Sequence, residues 1–319
     1  MIAFAVALLA VRVLLSRFGR MALDRPNERS LHLKPVPRTG GIAILLGAAA
    51  GAGLGISNLW LPALCAALLA ALSFADDLRG VPTAVRLAAH LAAAAVVSWY
   101  LLAPMHPLAL ALSTLAIAWL TNLYNFMDGS DGLAAGMAVF GFGSFGVAAL
   151  AAGDESLALF SVSLMAAAAA FLIFNFSPAR IFLGDVGSVP LGFLAGALGL
   201  AGWRDDVWPL WFPLLVFAPF IADATLTLCR RMLRGEPVWR AHREHYYQRL
   251  VRMGAGHRVT ALAAYALMLV CAAGALYARA KPLEVQALVL AGTGALLAGA
   301  AVWIDVRWAR QSRAGQAST

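Results

Sequence analysis

Carboxylates that interrupt long apolar runs are the residues of this sequence most able to do chemistry. Two adjacent acids, Asp76 and Asp77, follow one such run. Like charges this close repel each other unless a cation intervenes, and Mg²⁺ is usually held by one or two carboxylates together with substrate phosphates. The alternative is a solvated helix end with Arg79 as the partner, although acids at a helix C-terminus oppose the helix dipole. The pair predicts a metal or phosphate site.

A second group of polar residues lies in the stretch NFMDGSDGLAAG, which begins at Asn125. If this stretch is helical, the spacing of Asn125, Asp128 and Asp131 places all three near one face. Gly129 and Gly132 permit close approach of a ligand. A buried carboxylate without a partner is costly, so the stretch either faces water or holds something positive. A glycine-rich helix cap with exposed acids is the alternative.

Two further carboxylates stand apart from these groups. Asp185 lies between Gly184 and Gly187 in the stretch NFSPARIFLGDVGS, which resembles a tight turn that presents one carboxylate to a ligand. An Asx-turn before a helix, with Ser188 as its cap, is the alternative. Asp223 falls inside an apolar segment, where an ionisable residue is a functional candidate by default.

Basic residues near the chemistry form two groups. His242 and His245 are three positions apart, and Arg249 follows four positions later. On a helix they would form one cationic edge suited to a diphosphate, which arginine holds bidentately, whereas helical zinc pairs usually have i, i+4 spacing. Lys34 and Arg38 precede two glycines that open a helix, where backbone N–H groups favour anions. For both groups the alternative is a loop that contacts lipid headgroups.

The elements that must position these residues are apolar. Apolar residues make up 62% of the 319 residues and charged residues 13%, whereas a soluble domain carries about a quarter charged residues. We therefore predict an all-α, polytopic membrane protein, with a single membrane domain over residues 1–319 and about 11 transmembrane helices. We expect the first segment to be retained, because it lacks a basic n-region and a cleavage site. The predicted segments are 1–16, 41–57, 59–75, 86–102, 107–123, 133–151, 156–174, 188–203, 208–228, 259–278 and 285–305.

The distribution of Lys and Arg predicts the orientation. One alternating set of loops contains 20 of these residues and the other set contains three, and the richer set is expected in the cytoplasm. The N-terminus is then outside and the C-terminus cytoplasmic. The acidic motifs and the histidine pair all fall in the cytoplasmic set, so we expect them to converge on one site at that membrane surface. The set comprises 17–40, 76–86, 122–132, 175–187, 229–258 and the tail after 305.

Taken together, the motifs DDLR, NFMDGSDGLAAG, NFSPARIFLGDVGS and HREHYYQRL occur in an order that resembles the polyprenyl-phosphate N-acetylhexosamine-1-phosphate transferase superfamily, over about residues 30–255. The resemblance implies an enzyme that transfers an N-acetylated sugar-1-phosphate from a UDP-sugar to undecaprenyl phosphate and releases UMP. It implies Mg²⁺ as the cofactor, with Mn²⁺ as an alternative. It also implies the bacterial inner membrane with the active site facing the cytoplasm, contacts with membrane lipids, a homodimer, and no nucleic acid as a partner.

The resemblance carries roles to individual residues. Asp76, Asp77 and Asp185 match the acids implicated in catalysis. Asp185 matches the acid most directly tied to Mg²⁺, and Asp77 is the second metal candidate. The residues that match substrate-binding positions are Lys34, Asn125, Asp128, Asp131, Asn175, Phe182, His242, Arg243 and His245.

The form of the last motif bears on the identity of the sugar. Members that use the muramyl-pentapeptide donor typically carry three consecutive histidines there, whereas this chain has His242-Arg243-Glu244-His245. The difference favours enzymes that start O-antigen or other surface polysaccharides, with the phospho-MurNAc-pentapeptide translocase of peptidoglycan synthesis as the alternative. Two rivals belong to other classes: a transporter with intramembrane acids, supported mainly by Asp223, and a non-catalytic lipid-binding scaffold.

Overall fold

The computed structural model describes residues 1–19, 22–24, 31, 35–53, 55, 57–237 and 242–317. Strands β1 (Leu23–Asp24) and β2 (Val36–Pro37) form a short antiparallel ribbon, in which Asp24 pairs with Val36. The rest of the regular structure in these ranges is helical. The helices are α1 (Ile2–Arg17), α2 (Gly40–Ala52), α3 (Trp60–Arg79), α4 (Thr83–Leu102), α5 (Pro107–Phe126), α6 (Leu133–Ala152), α7 (Glu155–Asn175), α8 (Asp185–Arg204), α9 (Trp211–Val216), α10 (Ala218–Leu233), α11 (Tyr246–Leu250), α12 (Gly256–Ala278) and α13 (Leu283–Ala317).

The predicted fold class is confirmed. Each of the eleven apolar segments predicted from the sequence coincides with helical structure, and eight helices among the described residues are long and apolar enough to cross a membrane. Helices α1 and α2 are shorter, with 16 and 13 residues. The chain is therefore a multi-pass, all-α membrane protein, while the number of crossings and the sides of the termini stay predictions.

The segment predicted over 208–228 is wrong as one continuous helix. The structure divides it into α9 and α10, which meet at Phe217. Three prolines, Pro209, Pro213 and Pro219, fall in this stretch. Proline has no N–H to donate and is best tolerated in the first turn of a helix, where Pro219 lies in α10. Apolar composition alone did not indicate this break.

One end of the bundle collects the polar connections. Helices α3, α5 and α7 end there and α4, α6 and α8 begin there, so the connections 80–82, 127–132 and 176–184 are neighbours around one cleft. We call this the polar end. The start of α2 joins it through backbone hydrogen bonds, because the N–H groups of Gly40 and Gly41 donate to the carbonyl oxygens of Phe182 and Leu183. The convergence that the loop pattern predicted is thus observed.

Helix α8 lies at the centre of the bundle and is almost entirely buried. It packs against α3 and α5, and at Gly192 it approaches α5 so closely that a Cβ atom would lie 2.6 Å from both the carbonyl oxygen of Leu120 and the Cβ of Tyr124. Small residues allow such an approach where van der Waals packing holds helices together. This contact fixes the position of Asp185, the first residue of α8.

We predict that Gly192→Ala lowers stability by about 1–3 kcal/mol, because the added methyl group overpacks the contact between α5 and α8. The thermal unfolding midpoint in detergent measures the loss. Gly294→Ala in α13 is the matched control, since a Cβ atom there meets nothing within 4 Å. Equal midpoints for the two variants would contradict the close packing of α8.

Candidate active site

The polar end contains a cleft of about 1320 Å³. Ten of the twelve residues predicted to act on or bind substrates line it. Lys34 lies outside the described residues, and Arg243 lines a smaller neighbouring cavity together with Arg252. The ten residues are Asp76, Asp77, Asn125, Asp128, Asp131, Asn175, Phe182, Asp185, His242 and His245.

Asp76, in the last turn of α3, has both carboxylate oxygens engaged. Its Oδ1 accepts the N–H of Val81 at 2.6 Å, and its Oδ2 accepts from Nη1 of Arg86 at 2.6 Å. The same Nη1 lies 3.4 Å from Oδ2 of Asp185. The cation beside Asp76 is therefore Arg86, in the first turn of α4, and not Arg79. One guanidinium joins carboxylates of α3 and α8.

Asp77 faces a different cation and keeps one oxygen free. Nη2 of Arg38 lies 3.3 Å from its Oδ1 and donates to its backbone carbonyl oxygen at 3.1 Å. The side chain is 3% exposed, and no described residue donates to its buried Oδ2. A buried carboxylate oxygen without a partner is costly, so this position favours a cation that arrives with the substrates.

Asp185 opens α8, where a helix N-terminus favours negative charge. The preceding Gly184 has a φ of 71°, and a Cβ atom there would lie 2.1 Å from the carbonyl oxygen of Arg38, so only glycine fits. Nδ2 of Asn125 lies 3.5 Å from Oδ2 of Asp185. The Asn125 Oδ1 accepts from the hydroxyl of Ser188 at 2.9 Å, which orients the amide.

The carboxylates of Asp77 and Asp185 form the part of the cleft that is suited to a metal ion. Within the described ranges, no three His, Cys, Asp or Glu side chains form a metal site by themselves. Mg²⁺ commonly takes one or two carboxylates from the protein and completes its octahedron with water and substrate phosphates. The free Oδ2 of Asp77, beside the charge of Asp185, fits that pattern.

The expectation that Asn125, Asp128 and Asp131 share one helical face is wrong. Helix α5 ends at Phe126, and 127–132 is a turn that ends with Gly132 in the left-handed region at φ 74°. Asn125 and Asp128 approach Asp185, and burial followed by the charge of Asp185 raises the pKa of Asp128 well above its usual range. An acid so placed favours a proton or a cation nearby.

The side chains of Asp131 and Asn175 form hydrogen bonds mainly with backbone groups. The Oδ2 of Asp131 accepts the N–H of Ala179 at 3.0 Å. The Oδ1 of Asn175 accepts the N–H of Gly132 at 3.0 Å, and its Nδ2 donates to the carbonyl oxygen of Ile181 at 2.9 Å. These bonds tie the turn at 127–132 to the loop at 176–184. Both residues shape the cleft wall and leave few free polar atoms for a ligand.

Arg86 and His257 also line the cleft, although neither was predicted as a site residue. Arg86 was counted only among the basic residues of the loops. Its position at the start of the helix that follows the paired acids was a usable signal. His257 is the second residue of α12, and its Nδ1 lies 2.9 Å from Oγ of Ser130 and 3.7 Å from Oδ1 of Asp131. No local motif marked His257, because its partners lie more than 120 residues earlier in the chain.

His242 and His245 do not lie on a common helix as predicted, because α11 begins only at Tyr246. Their rings are nevertheless neighbours, with centroids 4.9 Å apart. Arg249 does not line the cleft and instead contacts Oδ1 of Asp305 at 2.9 Å. The cationic edge proposed for this helix is therefore not formed. Among the described residues of the loop before α11, the two histidines line the cleft.

The other side of the cleft is apolar. It is lined by side chains of α4 and α5 that are also exposed on the outer surface of the bundle, among them Leu87, Leu91 and Leu115. Trp119 and Leu228 continue this wall. The cleft therefore opens sideways onto the surface that lipid covers, as well as towards the end of the bundle. Such an opening suits a molecule that is part acyl or prenyl chain and part polar head.

Burial, and then the neighbouring His245 and Arg231, lower the pKa of His242 to about 4. We predict that this ring is neutral at pH 7 and titrates near pH 4, which ¹⁵N chemical shifts of labelled histidine measure. The lowered pKa also means that stability falls as the pH drops from about 6.5 towards 4, because the unfolded state takes up the proton first. Titration near pH 6.5 would contradict the desolvated position of this ring.

Comparisons with known proteins agree with the motifs. The profile described as Glycosyl transferase family 4 matches residues 59–203, which hold the acids of α3, of the turn at 127–132 and of α8. A probable undecaprenyl-phosphate N-acetylglucosaminyl 1-phosphate transferase of Bacillus subtilis (strain 168) is 31% identical over 288 residues, which cover 83% of this chain and 80% of that protein.

Two further relatives extend the comparison. A decaprenyl-phosphate N-acetylglucosaminephosphotransferase of Mycolicibacterium smegmatis is 32% identical over 314 residues, covering 83% of this chain and 77% of that protein. A phospho-N-acetylmuramoyl-pentapeptide-transferase of Moorella thermoacetica is 38% identical over 112 residues, covering 35% and 33%. This chain belongs to glycosyl transferase family 4, the polyprenyl-phosphate N-acetylhexosamine-1-phosphate transferase superfamily that its motifs resemble.

Proposed function

We propose that this chain transfers an N-acetylhexosamine-1-phosphate from a UDP-sugar to undecaprenyl phosphate and releases UMP, at the cytoplasmic face of the bacterial inner membrane. The observation that carries the proposal is the two-sided cleft. Its carboxylates and histidines face the end of the bundle, and its apolar wall opens onto the lipid-covered surface. A water-soluble donor and a membrane-dissolved acceptor could therefore meet in one place.

The charges in the cleft suit this transfer. An oxygen of the lipid phosphate attacks the β-phosphorus of the UDP-sugar, and the bond from that phosphorus to the oxygen bridging to UMP breaks. Both reactants are anions, so catalysis depends on fixed positive charge around the phosphates. Arg38 and Arg86 line the cleft beside the acids. Each is held in place by a carboxylate, which orients the guanidinium before substrates bind.

Mg²⁺ is the cofactor we propose, with Mn²⁺ as an alternative. Asp77 and Asp185 would hold it, and when bound it would neutralise charge on the donor diphosphate. The support from this chain is the buried, unpaired Oδ2 of Asp77. Mg²⁺ would give that oxygen the partner that no described residue supplies.

Asp76 has a different role in this proposal. Both of its oxygens accept hydrogen bonds, from Val81 and from Arg86. A carboxylate engaged in this way orients its donors, one of which is the guanidinium of Arg86. We infer that Asp76 positions Arg86 for the acceptor phosphate.

We propose a UDP-N-acetylhexosamine as the donor, with UDP-GlcNAc the first to test, and a product that starts a surface polysaccharide. The relatives that cover most of this chain are described as acting with N-acetylglucosamine. The pentapeptide-transferase relative covers about a third of the chain. The sequence His242-Arg243-Glu244-His245 supports the same choice over the translocase of peptidoglycan synthesis.

The transporter alternative loses its main support. Asp223, the carboxylate inside an apolar segment, accepts the N–H groups of Tyr246 and Tyr247 at 2.9 and 3.0 Å. It does not line the cleft. The buried charge of Asp223 is therefore stabilised by backbone N–H groups, and it does not need a transported ion as its partner.

We predict that Asp77→Asn and Asp185→Asn each lower UMP release by about 100-fold or more, because each removes a carboxylate that would hold the Mg²⁺ that neutralises the phosphates. The assay uses purified protein in detergent with undecaprenyl phosphate, Mg²⁺ and a panel of UDP-GlcNAc, 6-deoxy relatives and UDP-MurNAc-pentapeptide. We expect EDTA to abolish the release and added Mg²⁺ to restore it.

Asp206→Asn is the matched control for those variants. Asp206 is exposed at the opposite end of the bundle with a φ of 55°, a conformation that asparagine also adopts. We expect it to keep wild-type activity. UMP release that survives in both Asp77→Asn and Asp185→Asn would contradict the proposed reaction.

A matched pair on α5 tests the apolar wall. Leu115 and Leu112 are 59% and 58% exposed, but only Leu115 lines the cleft. We predict that Leu115→Trp raises the KM for undecaprenyl phosphate several-fold while the KM for the UDP-sugar is unchanged, because the indole would crowd the lipid entrance. Leu112→Trp should change neither constant. Equal effects of the two substitutions would argue that the acceptor enters elsewhere.

A further inference from the structure

Asp223 is the buried acid that the transfer reaction leaves without a role. It lies on α10, is 9% exposed, and has four donors packed around it. Its Oδ1 accepts the N–H of Tyr246 at 2.9 Å and faces Nδ1 of His245 at 3.2 Å, and its Oδ2 accepts the N–H of Tyr247 at 3.0 Å. The hydroxyl of Thr227 lies farther away, at 3.4 Å.

The contact with His245 decides which ring nitrogen carries the proton. An ionised carboxylate only accepts hydrogen bonds, so a hydrogen bond from this ring to Asp223 requires the N–H on Nδ1 of His245. In that tautomer Nε2 is the acceptor nitrogen of the ring. The ring packs against Phe126 and Tyr247, with centroids 6.3 and 5.9 Å away, and His245 lines the cleft. Its orientation is fixed by these contacts.

An acceptor nitrogen constrains what His245 can bind. A lone pair repels a phosphate oxygen, whereas it attracts a hydroxyl or an amide N–H. The N-acetyl sugar of the donor carries both of these groups. Loss of a partner that fixes the tautomer of a histidine commonly costs about 10–100-fold in function where the histidine binds a metal, and the same orientation effect applies to a hydrogen bond.

We propose that Asp223 is a positioning residue that holds His245 as its Nδ1–H tautomer, so that Nε2 accepts a hydrogen bond from the hydroxyl or acetamido N–H of the donor sugar. This inference rests on the proposed function, because it assigns a partner to a side chain of that same cleft. It places the sugar, and not the diphosphate, beside His245.

The first arm of the test needs no activity. ¹⁵N-histidine spectra of the wild-type protein, assigned with His245→Gln, report the tautomer of this ring. We expect the Nδ1–H form at pH 7.5 without substrate. An Nε2–H form would overturn the inference directly, whatever reaction the protein performs.

The second arm is a double-mutant cycle on UMP release. We expect Asp223→Asn to lower kcat/KM for the UDP-sugar about 10-fold or more, to leave the KM for undecaprenyl phosphate unchanged, and to have an effect below about 2-fold in a His245→Ala background. Residues that act as one unit show such non-additive losses. Thr227→Val, which touches Asp223 but not the ring, should stay within about 2-fold of wild type.

The outcomes separate the two claims. If the wild type releases UMP and the losses from Asp223→Asn and His245→Ala multiply, Asp223 acts on the backbone of α11 alone and the inference is wrong. If the wild type releases no UMP with any donor, the proposed function fails, while the tautomer still decides whether Asp223 holds His245. The thermal unfolding midpoint of each variant, compared with that of the wild type, tests whether its fold is retained.

Discussion

The constraint on which the site depends is the balance of charge at the polar end. Several carboxylates from α3, the turn at 127–132 and α8 meet where little water solvates them, and such groups are costly unless paired. Arg86 satisfies Asp76 and reaches Asp185, while Arg38 satisfies one oxygen of Asp77. The remaining oxygen of Asp77 has no described partner. The fold thus leaves a deficit of positive charge that a cation bound with phosphate would fill.

The histidine side of the cleft is held by a second set of polar contacts, which come from the C-terminal helices. Asp223 accepts the first N–H groups of α11 and binds His245. Asp305 on α13 contacts Arg230 at 2.6 Å and Arg249 at 2.9 Å. A short helix has little stability of its own, so these contacts supply it. The family profile ends at residue 203, and these pairs lie beyond it.

The sequence was most informative where the signal is local. Apolar segments and acidic motifs follow from composition and spacing, and they predicted the fold class and most of the cleft lining. Three features were not predictable in this way. The helical face expected for Asn125, Asp128 and Asp131 is not formed because α5 ends at Phe126 and a turn follows. The role of Arg86 and the partner of Asp223 depend on residues that tertiary packing brings together. The prediction for Lys34 stays untested, because Lys34 lies outside the described residues.

The most direct test of the account follows one phosphorus atom. Purified protein in detergent is given undecaprenyl phosphate, Mg²⁺ and UDP-GlcNAc labelled with ³²P in the β-phosphate, and the products are partitioned between butanol and water. We predict that the label moves to the lipid phase together with the sugar, while unlabelled UMP appears in the water phase. Sugar in the lipid phase with the label retained in aqueous UDP would contradict it, because the bond broken would then be the one between sugar and diphosphate.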